Sequence, residues 1–196
     1  MILEGLITTL NDDGTVNLSP MGPHVDDDSL DRPFEQLLLK PYQTSTTYQN
    51  LKRTGQAVFH VTDDVELIAR AAVGAPDPMP PMQPAQGVEG QILGNACRWL
   101  ALRVRSLDDR QPRTEILCDV VAQGRLRDFF GFNRGKHAVL EGAILATRVE
   151  FLPADEILSQ FESLRLLVDK TGGPAEQRAF QFLHDFVQSR CAAKQK

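Results

Sequence analysis

Four consecutive hydroxyl side chains, Thr44, Ser45, Thr46 and Thr47, follow Lys40-Pro41-Tyr42-Gln43 and precede Tyr48-Gln49-Asn50-Leu51-Lys52-Arg53-Thr54-Gly55. Thr46 and Gln49 have the spacing of a capping box, and Gly55 suits a helix stop. A short helix is therefore expected to begin at or beside these hydroxyls. The first amides of such a helix lack carbonyl partners and, with the helix dipole, can seat a phosphate. Hydroxyls at the same place add further hydrogen bonds to phosphate oxygens. The same pattern also serves as an ordinary N-cap after a turn. Earlier in the chain, Asn17, Ser19 and Met21 share one face of an expected strand by its period of two. An amide and a hydroxyl beside an apolar contact suit the edge of a planar heterocycle; an edge strand whose polar side chains meet water is the other reading.

These residues need a scaffold. Residues 2–10 and 15–21 alternate like strands around Asn11-Asp12-Asp13-Gly14, a strong hairpin turn. Phe34 to Leu39 reads as a third strand, and Gln56 to Thr62 as a buried fourth after the short helix. A helix capped by Asp63 or Asp64 runs to about Val73, where Gly74 can end it. Residues 75–95 hold Pro76, Pro78, Pro80, Pro81 and Pro84, so regular structure is not expected there; a long loop of this kind is either mobile or a flap. Two long strands are expected from Cys97 to Ser106 and from Arg113 to Gln123. The last third reads as helical: Asn133 caps one helix, Pro153 opens a second, and Thr171-Gly172-Gly173-Pro174 stops it and starts a third. Ile157, Leu158, Phe161, Leu164, Leu167 and Val168 make one apolar stripe, and Ala179, Phe180, Leu183, Phe186 and Val187 another. About six strands with a helix between the third and fourth fit a small Greek-key barrel in an α+β, mainly β chain. No parallel βαβ repeat appears, and a C-terminal helical hairpin follows. The expected division is 1–130 for the barrel and 131–196 for the helical part, packed on the barrel or on a partner subunit.

Composition narrows the function. The chain of 196 residues has an apolar fraction of 42% and a net charge of −5, which argues against a broad nucleic-acid footprint or a polybasic membrane contact. No apolar run has the length of a membrane span or the form of a signal peptide, so a cytoplasmic location is expected. Cys97, Cys118 and Cys191 are too dispersed for a zinc knuckle or disulfide framework and are expected as buried or partly buried free thiols. His24 near Asp26-Asp27-Asp28 reads as part of a solvated acidic loop rather than a metal site. Arg134, His137 and Glu141 recur on one helical face, with Arg148 two turns beyond. They form either a surface ion pair or a polar stripe bordering a ligand. No GxSxG motif is present and no nucleophile–base set can be assembled, so catalytic residues remain unassigned.

In order and spacing, Gly14-Thr15-Val16-Asn17 with Ser19-Pro20, Lys40-Pro41 with Thr47-Tyr48-Gln49-Asn50-Leu51, and Gly55-Gln56-Ala57-Val58-Phe59-His60-Val61 resemble the flavin-reductase-like FMN-binding split barrels. The resemblance covers roughly the first two-thirds of the chain and points to an uncharacterised branch with extra C-terminal helices. It implies FMN as cofactor, with Asn17, Ser19 and Met21 along the isoalloxazine. Thr44, Ser45, Thr46 and Thr47 would hold the phosphate, with Asn50 supporting that loop. It also implies a homodimer, hydride or electron transfer through the flavin, and NAD(P)H or a small-molecule electron acceptor as partner. A non-catalytic flavin- or ligand-binding protein is the alternative, and a haem-binding or cofactor-free barrel a third. One departure stands out: Gln43 to Thr47 carries no cation, although charge-assisted contacts to phosphate are roughly twice as strong as neutral ones. Lys40, Lys52, Arg53 and Arg134 are the candidates to supply it, and His137 borders the same helix start as Arg134.

Overall fold

The hydrophobic alternation at the N-terminus becomes a hairpin of β1 (Gly5–Leu10) and β2 (Val16–Met21), paired so that Thr9 faces Asn17 and Ile7 faces Ser19. The computed structural model describes residues 1–25, 33–74 and 76–194. β3 (Gln36–Leu39) leads through the hydroxyl segment into α1 (Thr46–Thr54), and β4 (Gln56–Val61) follows directly. Gly55 makes that abrupt reversal with φ 68°, a left-handed conformation open to glycine, and its N–H bonds the Leu51 carbonyl. β7 (Arg98–Asp108) and β8 (Glu115–Arg125) are the two long strands. The main sheet is antiparallel throughout, in the order β2-β1-β4-β7-β8-β3. His24 bridges Ile2 on one side and Leu38 of β3 on the other, which joins the two margins of the sheet and closes it into a barrel.

One face of the strands fills the barrel. Ile7, Leu37, Leu39, Leu51, Phe59, Leu100, Leu102, Ile116 and Cys118 form its buried interior. The other face of β4 and β7 carries Val58, Trp99 and Ala101, which are also buried. Their cover is a ribbon of β5 (Met82–Pro84) and β6 (Gln91–Leu93), lying in the stretch where no regular structure was expected. The prolines do not prevent it, because Pro80 and Pro81 precede β5 and Pro84 ends it, where the lack of an N–H costs little. Two polar links hold the ribbon: Leu93 N–H donates to His60 Nε2 at 3.1 Å, and the Thr8 hydroxyl donates to the Gln91 carbonyl at 2.6 Å.

The chain divides into two compact units, residues 1–62 with 78–129, and residues 63–77 with 130–196. The second holds α2 (Val65–Val73), α3 (Arg134–Ala146), α4 (Ala154–Thr171) and α5 (Pro174–Lys194). The division at residue 130 alone omits α2, whose buried Val65, Ile68 and Ala69 belong with these helices. Asp64 and Asn133 cap α2 and α3 through their side chains as their positions suggested. Ile157, Phe161 and Val168 of α4 and Ala179, Phe180, Leu183 and Val187 of α5 are buried, while Leu158, Leu164, Leu167 and Phe186 are half-buried. Lys136 ties the unit together, donating to the Asp63 carbonyl at 2.9 Å and to the Glu176 carboxylate at 2.8 Å. No helix among the described residues is long and apolar enough to cross a membrane.

Candidate functional site

α1 begins one residue earlier than the capping box implied. Ser45, in extended backbone, is the N-cap; its hydroxyl accepts from Tyr48 N–H at 3.2 Å and donates to the Tyr42 carbonyl at 2.8 Å. Thr46 and Gln49 therefore fall inside the helix rather than at its boundary. Thr44 and Thr46 are exposed, Thr47 is buried and Ser45 lies between. The cap uses the Tyr48 amide, which leaves the first-turn amides of Thr46 and Thr47 with no carbonyl of a preceding helical turn to meet.

The register of the first hairpin brings the two polar groups together. Asn17 Nδ2 donates to Thr9 Oγ1 and to Thr47 Oγ1, both at 3.1 Å, and the Thr47 hydroxyl donates to Ser19 Oγ at 3.1 Å. Asn50, also buried, donates to Thr9 Oγ1 at 3.0 Å and to Asn11 Oδ1 at 2.9 Å. One hydrogen-bonded network thus spans β1, β2 and α1 at the edge of the barrel interior. Met21, further along the same face of β2, packs against the barrel core. Arg134 and His137 lie in the second unit, exposed in the first turn of α3, where His137 meets Phe132 edge-on with centroids 5.9 Å apart.

The nearby cations are largely engaged. Lys40 pairs with Glu115 at 2.7 Å, Lys52 with Asp109 at 2.8 Å, and Arg53 with Asp12. Hydrogen bonds to the Asp109 carboxylate and the Tyr48 hydroxyl raise Lys52 to about 12, so it stays charged. Arg53 also donates to Asn50 Oδ1 at 3.2 Å, which attaches it to the network. A residue missed from sequence is Arg113. An isolated bridge sets it opposite Tyr42, its Nε donates to the Lys40 carbonyl at 3.2 Å, and its guanidinium lies 5.4 Å from the Tyr42 ring centroid. Among the described residues it has no carboxylate partner. Its distance from the hydroxyl run in sequence hid it, since only the pairing of β3 with β8 brings the two segments side by side. Thr9 was missed for a similar reason: it reads as an ordinary strand threonine until its register opposite Asn17 is known.

The three cysteines are all buried thiols outside any disulfide, as expected. Burial, with Asp119 nearby, pushes the Cys118 thiol up to about 12, which makes it inert. No group of His, Cys, Asp and Glu able to hold a metal ion is present among the described residues, and Asp26, Asp27 and Asp28 lie outside them.

No curated protein matches the chain. Among solved structures, an FMN-bound DUF447 protein from Methanosarcina mazei matches with a TM-score of 0.77 and 21% identity, covering 94% of each chain. An FMN-binding protein from Thermus thermophilus matches with a TM-score of 0.52 and 11% identity over 63% of this chain and 70% of that one. The flavin reductase of styrene monooxygenase from Pseudomonas putida matches with a TM-score of 0.50 and 16% identity over 64% of this chain and 82% of the other. At these identities the likeness establishes the fold, a flavin-reductase-like split barrel with added C-terminal helices. Residues 3–127 match the model described as the N-terminal domain of a protein of unknown function (DUF447), and residues 133–185 match its companion model. The chain therefore belongs to the DUF447 family.

Proposed function

We propose that this chain is an FMN-binding flavoprotein that works as a flavin-reductase-like oxidoreductase, seating the phosphate at the start of α1 and the isoalloxazine along β2. The observation that carries the reading is the pair of hydrogen bonds from Asn17 to Thr47 and from Thr47 to Ser19. They hold a hydroxyl-rich helix start beside a polar strand face, so one ligand with an anionic end and a heteroatom-edged ring can meet both. The FMN bound to the Methanosarcina relative supports the reading.

The donor set fits the group. The Thr44 and Thr46 hydroxyls and the first-turn amides of α1 are donors suited to phosphate oxygens, and the Ser45 cap holds those amides in place. Thr47 carries the link to β2, and Asn50 braces the helix against Thr9 and Asn11. Asn17 and Ser19 supply an amide and a hydroxyl for the ring edge, and Met21 an apolar contact. Arg113 is our choice for the missing cation, because it flanks the segment that leads into the hydroxyl run. Bound FMN would supply the hydride- and electron-transfer chemistry, which explains why no acid–base set is needed among the side chains. We further read the working form as a cytoplasmic homodimer, with NAD(P)H or a small-molecule acceptor as redox partner.

Purified protein tests the proposal directly. A flavin absorbance spectrum, as isolated or after incubation with FMN, is expected. A colourless protein that cannot be reconstituted would overturn the reading. Bleaching of the bound flavin by NADH or NADPH is expected of the oxidoreductase; a flavin inert to both would leave a binding protein. Sedimentation as twice the 21.8 kDa chain is expected of the dimer.

A further inference from the structure

A second concave site lies in the barrel unit and shares no lining residue with the network around Thr47. It is an open cleft of about 530 Å³ bounded by Val61, Cys97, Arg98, Gln123, Gly124, Arg125, Arg127, Asp128 and Phe129. These residues come from the end of β4, the start of β7, the end of β8 and the segment that follows. The register places the cleft at the far end of β4 from Gln56, where α1 joins that strand, roughly 17 Å away at about 3.3 Å per residue. Its volume is in the range of small-molecule sites, about 300–1,000 Å³.

The lining is chemically selective. Val61, Cys97 and Phe129 give it apolar surface, while Arg98, Arg125 and Arg127 place guanidinium groups in its lining and Asp128 a carboxylate. Asp128 pairs with Arg125. Arg127 is held by the backbone and side-chain oxygens of Asn95 at 3.1 and 3.2 Å and by the Asp128 carbonyl at 3.0 Å. Arg98 meets the Phe34 ring at 5.6 Å and has no carboxylate partner among the described residues. A cationic concavity in a chain of net charge −5 concentrates anions locally. A planar guanidinium beside apolar surface matches a flat molecule carrying an oxyanion.

We propose that this cleft binds a small organic anion, a flat apolar body bearing one phosphate or carboxylate, with Arg98 as the principal oxyanion contact. The inference does not depend on flavin binding. Phenyl phosphate is the probe, titrated calorimetrically into the full chain, with benzyl alcohol and inorganic phosphate as the partial ligands. Wild type is expected to bind phenyl phosphate more tightly than either fragment. Arg98→Gln is expected to weaken it about tenfold, the loss that follows from one charge-assisted contact. Lys170→Gln, in the last turn of α4 and outside both sites, is expected to leave it unchanged. Circular dichroism and the thermal midpoint of Arg98→Gln serve to show that the variant is folded, and Arg98→Lys, which keeps the charge without the fork, is expected to recover part of the affinity. Absence of phenyl phosphate binding, or binding indifferent to Arg98→Gln, overturns the proposal. So does complete displacement by FMN combined with weaker FMN binding in Arg98→Gln, because the cleft would then be the flavin's own seat. Intact phenyl phosphate binding in a protein that never takes up FMN would sink the flavin reading alone.

Discussion

Thr47 is the residue at which the strand face and the helix start meet, since its hydroxyl accepts from Asn17 and donates to Ser19. Thr47→Val keeps the shape and removes both bonds, leaving Asn17 and Ser19 short of a partner beside the barrel core. A loss of about 1–2 kcal/mol in unfolding free energy is expected from urea titration. FMN affinity should fall about tenfold by fluorescence quenching, the equivalent of a similar loss. An unchanged affinity would separate the network from flavin binding. His60 offers a test through pH. It is fully buried, accepts from Leu93 N–H, and burial depresses its pKa from an ordinary 6.5 to about 4. A histidine with a lowered native pKa contributes stability that is complete above the unfolded value near 6.5 and is lost as pH falls through about 4. The unfolding free energy of wild type, read from urea titrations, should therefore decline across that window, by an amount on the order of 3 kcal/mol. His60→Gln should show a shallower decline; equal slopes for the two proteins would count against the assignment.

At the scale of elements, the site depends on how closely β1 lies against β4 and on how α1 is started. A Cβ on Gly5 would stand 2.3 Å from the His60 carbonyl oxygen and 2.6 Å from the Phe59 ring. Gly5→Ala therefore has to force apart two paired strands that carry Thr9 and the α1 connection. A destabilisation of at least about 2 kcal/mol is expected, read as a lowered thermal midpoint, because overpacking a backbone contact leaves little room to relax. Ser45→Ala acts at the other end, removing the acceptor for the Tyr48 amide. About 1 kcal/mol of stability should go with it, and FMN binding should weaken because the first turn frays. A variant with the wild-type midpoint and affinity would mean that the cap does not organise the seat.

At the scale of the whole chain, the helical unit includes residues 63–77 as well as those from 130 onward. α2 is inserted between β4 and β5 in the chain, yet its buried Val65, Ile68, Ala69 and Ala71 pack on α3 and α5. Ending the chain at residue 130 should therefore expose that apolar face, and the truncated protein is expected to aggregate or elute as a broad species on size exclusion. A well-behaved monomeric fragment with a sharp unfolding transition would show that α2 is dispensable to order. Polar pairing reinforces the helical unit, since Glu66 accepts from Arg178 and from Arg70 while Glu176 accepts from Lys136.

By itself the sequence determined the elements and the chemistry they carry. Strand alternation, the Gly55 stop, the Asp64 and Asn133 caps and the Thr171-to-Pro174 break all act through neighbours a few residues apart, so their signals are local and readable. The family-level resemblance was legible for the same reason, because its motifs are short segments in a fixed order. Tertiary structure alone decided which of these segments meet. The opposition of Thr9 to Asn17 depends on a hairpin register, and that of Arg113 to Tyr42 on the pairing of strands distant in sequence. The β5–β6 ribbon forms in a proline-rich stretch because Val58, Trp99 and Ala101 need an apolar cover, which local propensity does not record. α2 joins the C-terminal helices because its apolar face finds its complement there. The hydroxyl run is legible in the sequence; its connection to Asn17 and Ser19 arises only when hydrophobic burial closes the barrel and sets the long-range register.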